Sequence, residues 1–288
     1  MTAIKRLAPD WILNAYAGLA LIYLLLPIAV IIFFSFNDPV GRFNFIWNEF
    51  SFDAWKHPFA VPGVQDALKT SLEIAALSTL IATALGTLTA LALVRYEFKG
   101  RAPVNFFIFI PLATPEVVLG AALLSQFLNW GSPQLGFTTI LIAHVMFNLS
   151  FVVITVRSRL IGFDRSLEEA AQDLGATPWE TFRLVTLPLI MPGILAAGLL
   201  AFALSIDDFV ITNFNSGSTI TFPLFIWGAA RVAVPPQIYV IATMIFLVTV
   251  AAMIATVWQQ RRAEKLAAVR PDEPDLITPG PMREPAPA

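Results

Sequence analysis

Six apolar runs punctuate the chain, near residues 16–36, 68–94, 104–128, 136–156, 189–209 and 238–258. Each is close to the ~20 residues an α-helix needs to cross roughly 30 Å of hydrocarbon. In lipid every backbone N–H and C=O must be paired within its own segment, so the pattern predicts six membrane-spanning helices in one integral domain, residues 1–265. Between the fourth and fifth runs lies an island with a different period, Ser166 to Pro188, SLEEAAQDLGATPWETFRLVTLP. Leu167, Ala170, Ala171 and Leu174 are spaced i, i+3, i+4, i+7, which predicts an amphipathic helix with a narrow apolar stripe built partly from small residues. Ser166 stands three positions before Glu169, and Thr177 three before Glu180 with Pro178 at the first helical position, so a capping box is predicted at each helix start. Gly175 falls where a helix C-terminus favours a left-handed residue. The unit reads as helix, tight turn, helix, and its stripe of small residues allows another protein surface to approach closely.

Composition sharpens the class. With 57% hydrophobic and 13% charged residues and a mean hydropathy of +0.73, the chain is far from the roughly 25% charged residues of a globular protein. Orientation follows from the basic residues. Lys5 and Arg6 precede the first run, Arg95, Lys99 and Arg101 lie between the second and third, Arg157, Arg159, Arg165 and Arg183 between the fourth and fifth, and Arg261, Arg262 and Lys265 after the sixth. The opposite side carries only Arg42, Lys56, Lys69 and Arg231. Both termini and the polar island are therefore expected in the cytoplasm. The first run is too long for a cleavable signal, and Phe34-Ser35-Phe36 is no small-residue cleavage site. The absence of Cys excludes disulfides and thiolate metal sites. Residues 266–288 change to a Pro-rich, acidic composition that cannot bury a core, and a disordered tail is expected there.

Glu169-Ala170-Ala171, three residues, Gly175, nine residues, then Val185-Thr186-Leu187-Pro188 resembles the EAA loop of bacterial ATP-binding-cassette importer permeases, E-A-A-x3-G-x9-I-x-L-P. Val185 in place of Ile is the single departure. The resemblance implies an all-α, MetI-like permease of the type I importers in the bacterial cytoplasmic (inner) membrane. Its loop, here residues 164–188, would form a coupling helix seated in a groove of an ATPase subunit, through Glu169, Ala170, Ala171, Gly175, Leu187 and Pro188. The implied partners are a second homologous permease subunit, two ATPase subunits, an external solute-binding protein and the lipid bilayer. No cofactor is implied for this chain: ATP and Mg belong to the ATPase, and no G-x-x-x-x-G-K-[ST] loop occurs in the sequence. A DNA-binding helix-turn-helix is the competing reading of the island. Four Arg against five acidic residues between Arg157 and Leu187 leave no basic patch to hold phosphates, so no nucleic acid is expected.

Acidic residues inside apolar runs are the candidate chemistry, since a carboxylate at a helix centre costs roughly 2.5–3.5 kcal/mol on insertion scales. Glu116, about 13 residues into the third run, would lie roughly 20 Å from its cytosolic start in a straight helix. Pro111 and Pro115 interrupt that helix, as in cavity-lining segments. Asp207 and Asp208 close the fifth run near the outer boundary, where hydration of a helix end is the structural alternative. Ser205-Ile206-Asp207-Asp208-Phe209-Val210 and the stretch from Phe222-Pro223 through Arg231 to Pro235-Pro236 resemble the spermidine/putrescine branch of these permeases. That implies a translocation path for polyamines lined by Glu116, Asp207 and Asp208. Iron or thiamine remain alternative substrates, and a stand-alone secondary carrier a less fitting class, because it leaves the docking unit without a role. His144 and Asn148 share a face of the fourth run and read first as interhelical hydrogen-bonding residues. Gly193, Ala197 and Ala201, and Gly86 with Ala90, have the four-residue spacing of close helix packing. The aromatic loop from Asn37 to Ala67 reads either as an interfacial belt or as a shelf for an external protein.

Overall fold

The structure, a computed structural model, describes residues 10–268 apart from 132 and 163. Its elements run in the order α1 (Asp10–Phe34), β1 (Asn37–Asp38), β2 (Glu49–Phe50), α2 (Asp53–Lys56), α3 (Val64–Arg95), α4 (Arg101–Ala113), α5 (Glu116–Trp130), α6 (Phe137–Ile161), α7 (Ser166–Asp173), α8 (Pro178–Thr181), a π-helical turn (Phe182–Thr186), α9 (Leu187–Ile206), α10 (Val210–Asn215), α11 (Phe222–Val232) and α12 (Pro236–Ala268). The chain divides into two units, residues 1–58 with 235–288, and residues 59–234. Lys5, Arg6 and the tail from residue 269 onwards lie outside the described residues.

All six apolar runs fall on helices. Among the described residues, Trp11–Phe34, Val64–Arg95, Phe137–Ile161 and Pro178–Ile206 are each long and apolar enough to cross a bilayer. The sixth run belongs to α12, whose apolar part, Pro236–Ala251, is shorter than a full span among the described residues. The third run departs most from a straight helix: α4 and α5 meet at 113°. Pro115 is the cause. Its ring disfavours the helical conformation for the residue before it, and Thr114 is extended at φ −88°, ψ 130°. Pro111 stays within α4. The fifth span also begins earlier than the apolar run does, because α8, the π turn and α9 form one continuous helix. The π turn immediately precedes Pro188, which has no N–H for the Leu184 carbonyl and crowds it. A wide turn, in which the Leu187 N–H reaches the Phe182 carbonyl, accommodates both defects.

Helices α3, α6 and α9 form the core of the larger unit. Ala82, Ala90, Val152, Val153, Val156, Ala197 and Ala201 are all buried in one cluster. Without a strong hydrophobic drive between helices in lipid, close backbone approach has to supply the contacts. A Cβ on Gly86 would lie 2.6 Å from Val152 Cγ1, and one on Gly193 would lie 2.9 Å from the Arg159 stem. The small-residue spacing therefore serves packing within this chain. Helix α6 is the central element, with 56% of its most apolar stretch buried.

In the smaller unit, β1 pairs antiparallel with β2, and the aromatic loop folds on itself. Phe36 stacks on Phe50 and Trp55 and meets Phe52 edge-on, with ring centroids 5.2–5.7 Å apart. Buried Asn37 donates to Asn44 Oδ1 at 2.6 Å, and the Tyr239 hydroxyl of α12 donates to the Asn44 carbonyl at 3.1 Å. These ring contacts order the loop, yet Phe50 and Phe52 stay more than half exposed, as do Val40, Phe45 and Ile46 at its tip.

Candidate functional site

The polar island folds as the helix, turn and helix its pattern predicts, but its two ends are made differently. At Thr177 the capping box is present: Glu180 Oε2 accepts the Thr177 N–H at 2.8 Å and its hydroxyl at 2.7 Å, and Thr177 Oγ1 accepts the Glu180 N–H at 3.4 Å. The box predicted at Ser166 and Glu169 does not form. Helix α7 begins at Ser166 itself, without a side-chain cap, because Asp164 Oδ1 takes the Ser166 N–H at 3.0 Å. That hydrogen bond also holds the Asp164 carboxyl below its ordinary range. Gly175 is left-handed at φ 90°. The Ala176 N–H reaches the Ala171 carbonyl and the Gly175 N–H the Gln172 carbonyl, the paired bonds of a Schellman termination.

The apolar stripe of α7 points outward. Leu167 is half exposed and Leu174 is 90% exposed, Glu169 and Ala170 are exposed, and Ala171 is half-buried. Trp179 on α8 is exposed as well. The side that turns inward carries Glu168. This buried carboxylate accepts from both terminal guanidinium nitrogens of Arg95, the last residue of α3, and from the hydroxyl of Thr186, the last residue of the π turn. The Arg95 hydrogen bonds lower the Glu168 carboxyl below its ordinary range and outweigh the opposing effect of burial, with Thr186 helping. It stays ionised at neutral pH, and its contribution is lost only as pH falls through that lowered value. Arg165 donates to the Val94 carbonyl at 3.3 Å, a second tie to the same end of α3. These residues line a cavity of about 400 Å³ together with Leu91, Gln172 and Phe182. Leu187 begins α9 half-buried, and Pro188 follows it exposed. Sequence reasoning singled out Glu169 and passed over Glu168. The available signal was that Glu168 lies beside the apolar stripe, while Arg95 closes an apolar run.

A second polar cluster occupies the far end of α9. Ser78 of α3 and Ser205 of α9 are hydroxyl to hydroxyl at 3.0 Å, and His144 Nδ1 lies 2.7 Å from Ser205 Oγ. His144 Nε2 lies 2.9 Å from Thr212 Oγ1 and 3.2 Å from Asp208 Oδ2. Asp208 also accepts the Thr212 N–H at 2.8 Å and the Thr212 hydroxyl at 2.7 Å. Its carboxylate is buried and fully engaged in fixing α10 to α6, whereas the adjacent Asp207 is exposed at the end of α9. The two aspartates are thus held in different surroundings.

Glu116 does not lie within a straight span. It is the exposed first residue of α5, beyond the 113° bend, so a depth of 20 Å from a straight rise does not apply. An acid at a helix N-terminus is favoured by the unpaired N–H groups there. No hydrogen bond or ion pair joins it to either aspartate among the described residues. Of the pair on α6, His144 bridges helices as expected. Asn148 is fully buried with neither polar atom of its side chain partnered.

A family model described as binding-protein-dependent transport system inner membrane component matches residues 82–265. The spermidine/putrescine transport system permease protein PotC of Escherichia coli (strain K12) is 38% identical over 235 residues, covering 81% of this chain and 88% of that protein. The putrescine transport system permease protein PotI of the same strain is 38% identical over 231 residues, covering 77% of this chain and 81% of that protein. Among solved structures, a chain of a bacterial ABC transporter involved in the import of the acidic polysaccharide alginate shares the fold, with a TM-score of 0.62 at 19% identity, covering 88% of this chain and 96% of that one. The family match takes in the outward stripe of α7, the Glu168 tie and the Asp208 cluster apart from Ser78, and the similarity to the two permeases extends over most of the length. The chain belongs to the inner membrane components of binding-protein-dependent transport systems.

Proposed function

We propose that this chain is a transmembrane subunit of an ATP-driven polyamine importer. It works beside a second permease subunit, two ATPase subunits and an external solute-binding protein, with both termini and α7 in the cytosol. The observation that carries the docking role is α7 itself. Leu167, Ala170 and Leu174 face outward on a helix tied down from behind by Glu168, which is how a helix is built to receive another protein. Closure of the ATPases on ATP would draw paired α7 helices together and swing the spans between inward- and outward-facing states.

The polyamine assignment draws its support from the 38% identity to two polyamine permeases and from the placement of the acids. A polyamine leaving water needs a carboxylate or carbonyl for each ammonium, since an unpaired charge in low dielectric costs several kcal/mol. Asp208 is already engaged, so Asp207 is the aspartate available to a cation, and Asp208 holds the turn that presents it. Glu116, exposed at the head of α5, which packs on α10, is the second available carboxylate. The test is labelled spermidine and putrescine uptake by the complete complex in proteoliposomes containing ATP. Asp207→Asn should lower uptake at least about tenfold, or about 1.4 kcal/mol, with basal ATP hydrolysis unchanged. Undiminished uptake in that variant removes Asp207 from the path. Absence of polyamine uptake by the intact complex redirects the substrate to iron, thiamine or another cation.

A further inference from the structure

A docking helix can drive a transporter only if its displacement is not absorbed at its own ends. Helix α7 is joined to the chain at Gly162 before it and at the left-handed Gly175 after it. A push on its outward stripe would rotate it about these joints unless something behind it resists. Glu168 is what stands there. Its carboxylate meets both terminal guanidinium nitrogens of Arg95 and the hydroxyl of Thr186, so one side chain on α7 grips the last residue of α3 and the last residue of the π turn leading into α9.

The form of the grip suits transmission. A two-pronged Arg–carboxylate contact fixes orientation as well as distance, which a single hydrogen bond or a lysine would not. The side chains are only 23% and 9% exposed, so solvent screens the pair far less than a surface ion pair. The helices it grips are long and share a core with α6. At the far end of α9, Ser205 is bonded to Ser78 near the middle of α3, and His144 connects them to Asp208 and α10. From Leu187 to Ser205 the rise of α9 is roughly 27 Å. The Glu168 contact and the Asp208 cluster therefore sit at opposite ends of α9, and they touch α3 at its last residue and near its middle.

We infer that Glu168, held by Arg95 and Thr186, is the positioning residue that passes motion of α7 to α3 and α9, and through them to the turn carrying Asp207 and Asp208. The inference rests on the reading of α7 as the ATPase-docking helix. The complete importer in nanodiscs, with its solute-binding protein loaded with spermidine, is the material for the test. Glu168→Gln should retain the co-purified ATPase and basal hydrolysis while losing at least about tenfold of stimulated hydrolysis. The swap Arg95→Glu with Glu168→Arg should recover stimulation to within about threefold of wild type, since a pairwise interaction is what a double-mutant cycle isolates. Wild-type stimulation in Glu168→Gln overturns the inference. So does a loss of stimulation no larger than the loss of bound ATPase, which would make the pair a support for the docking surface only. A swap that restores nothing overturns the linkage through Arg95. If the wild-type complex retains no ATPase, the docking reading fails instead, whatever the variants do.

Discussion

At the scale of single residues, adjacent and chemically identical side chains are put to different uses. Asp207 and Asp208 share a helix end, yet Asp208 spends its oxygens on Thr212, Ile211 and His144 while Asp207 stays exposed. Asp208→Asn removes the charge facing His144 and replaces one of the two acceptor oxygens by an NH2 group, so the Ile211 N–H on one side or the Thr212 N–H and hydroxyl on the other lose their acceptor. Partly unsatisfying a buried group of this kind costs about 1–3 kcal/mol. We expect a fall in the thermal midpoint of the purified complex in Asp208→Asn, and no such fall in Asp207→Asn, whose defect belongs to uptake. Equal midpoints for wild type and Asp208→Asn would count against a positioning role. Glu168 and Glu169 show the same division. The first faces inward to Arg95, and the second is exposed on the outward side of α7.

At the scale of elements, what was legible in the sequence is what neighbouring residues decide. The Thr177–Glu180 box and the left-handed Gly175 are settled within a few positions and are present as read. The Ser166 box is equally local, yet Asp164, two residues upstream, competes for the same N–H and wins. Pro115 announces a break in the third run, but its angle depends on packing against other helices, so the location of Glu116 could not be read from a straight rise. The Glu168 contact was passed over for a different reason: its partners lie 73 and 18 positions away, and no periodicity links them. The outward stripe of α7 yields an element-level prediction. Ala170→Asp places a charge in the middle of the stripe, and Gly175→Asp strains the left-handed turn that ends the helix. Each should leave the protein inserted and abolish substrate-stimulated ATP hydrolysis by the assembled complex. Stimulated hydrolysis at wild-type level in a stable complex would remove the coupling role from α7.

At the scale of the whole molecule, the apolar runs foretold a helical membrane architecture, while the division of labour inside it came from the fold. Helices α3, α6 and α9 supply a close-packed core, α7 hangs from one end of it by Glu168, and the Asp208 network closes the other. The account depends on α7 facing the cytosol, because an ATPase cannot otherwise reach it. The chain contains no Cys, so a single thiol in place of Leu174, 90% exposed on the docking stripe, reports its side without background from this subunit. The measurement is labelling of Leu174→Cys by a membrane-impermeant maleimide in intact cells and in inside-out vesicles. The account predicts no labelling in intact cells, full labelling in inside-out vesicles stripped of ATPase, and protection when the ATPase is bound. Labelling of this position in intact cells would contradict it.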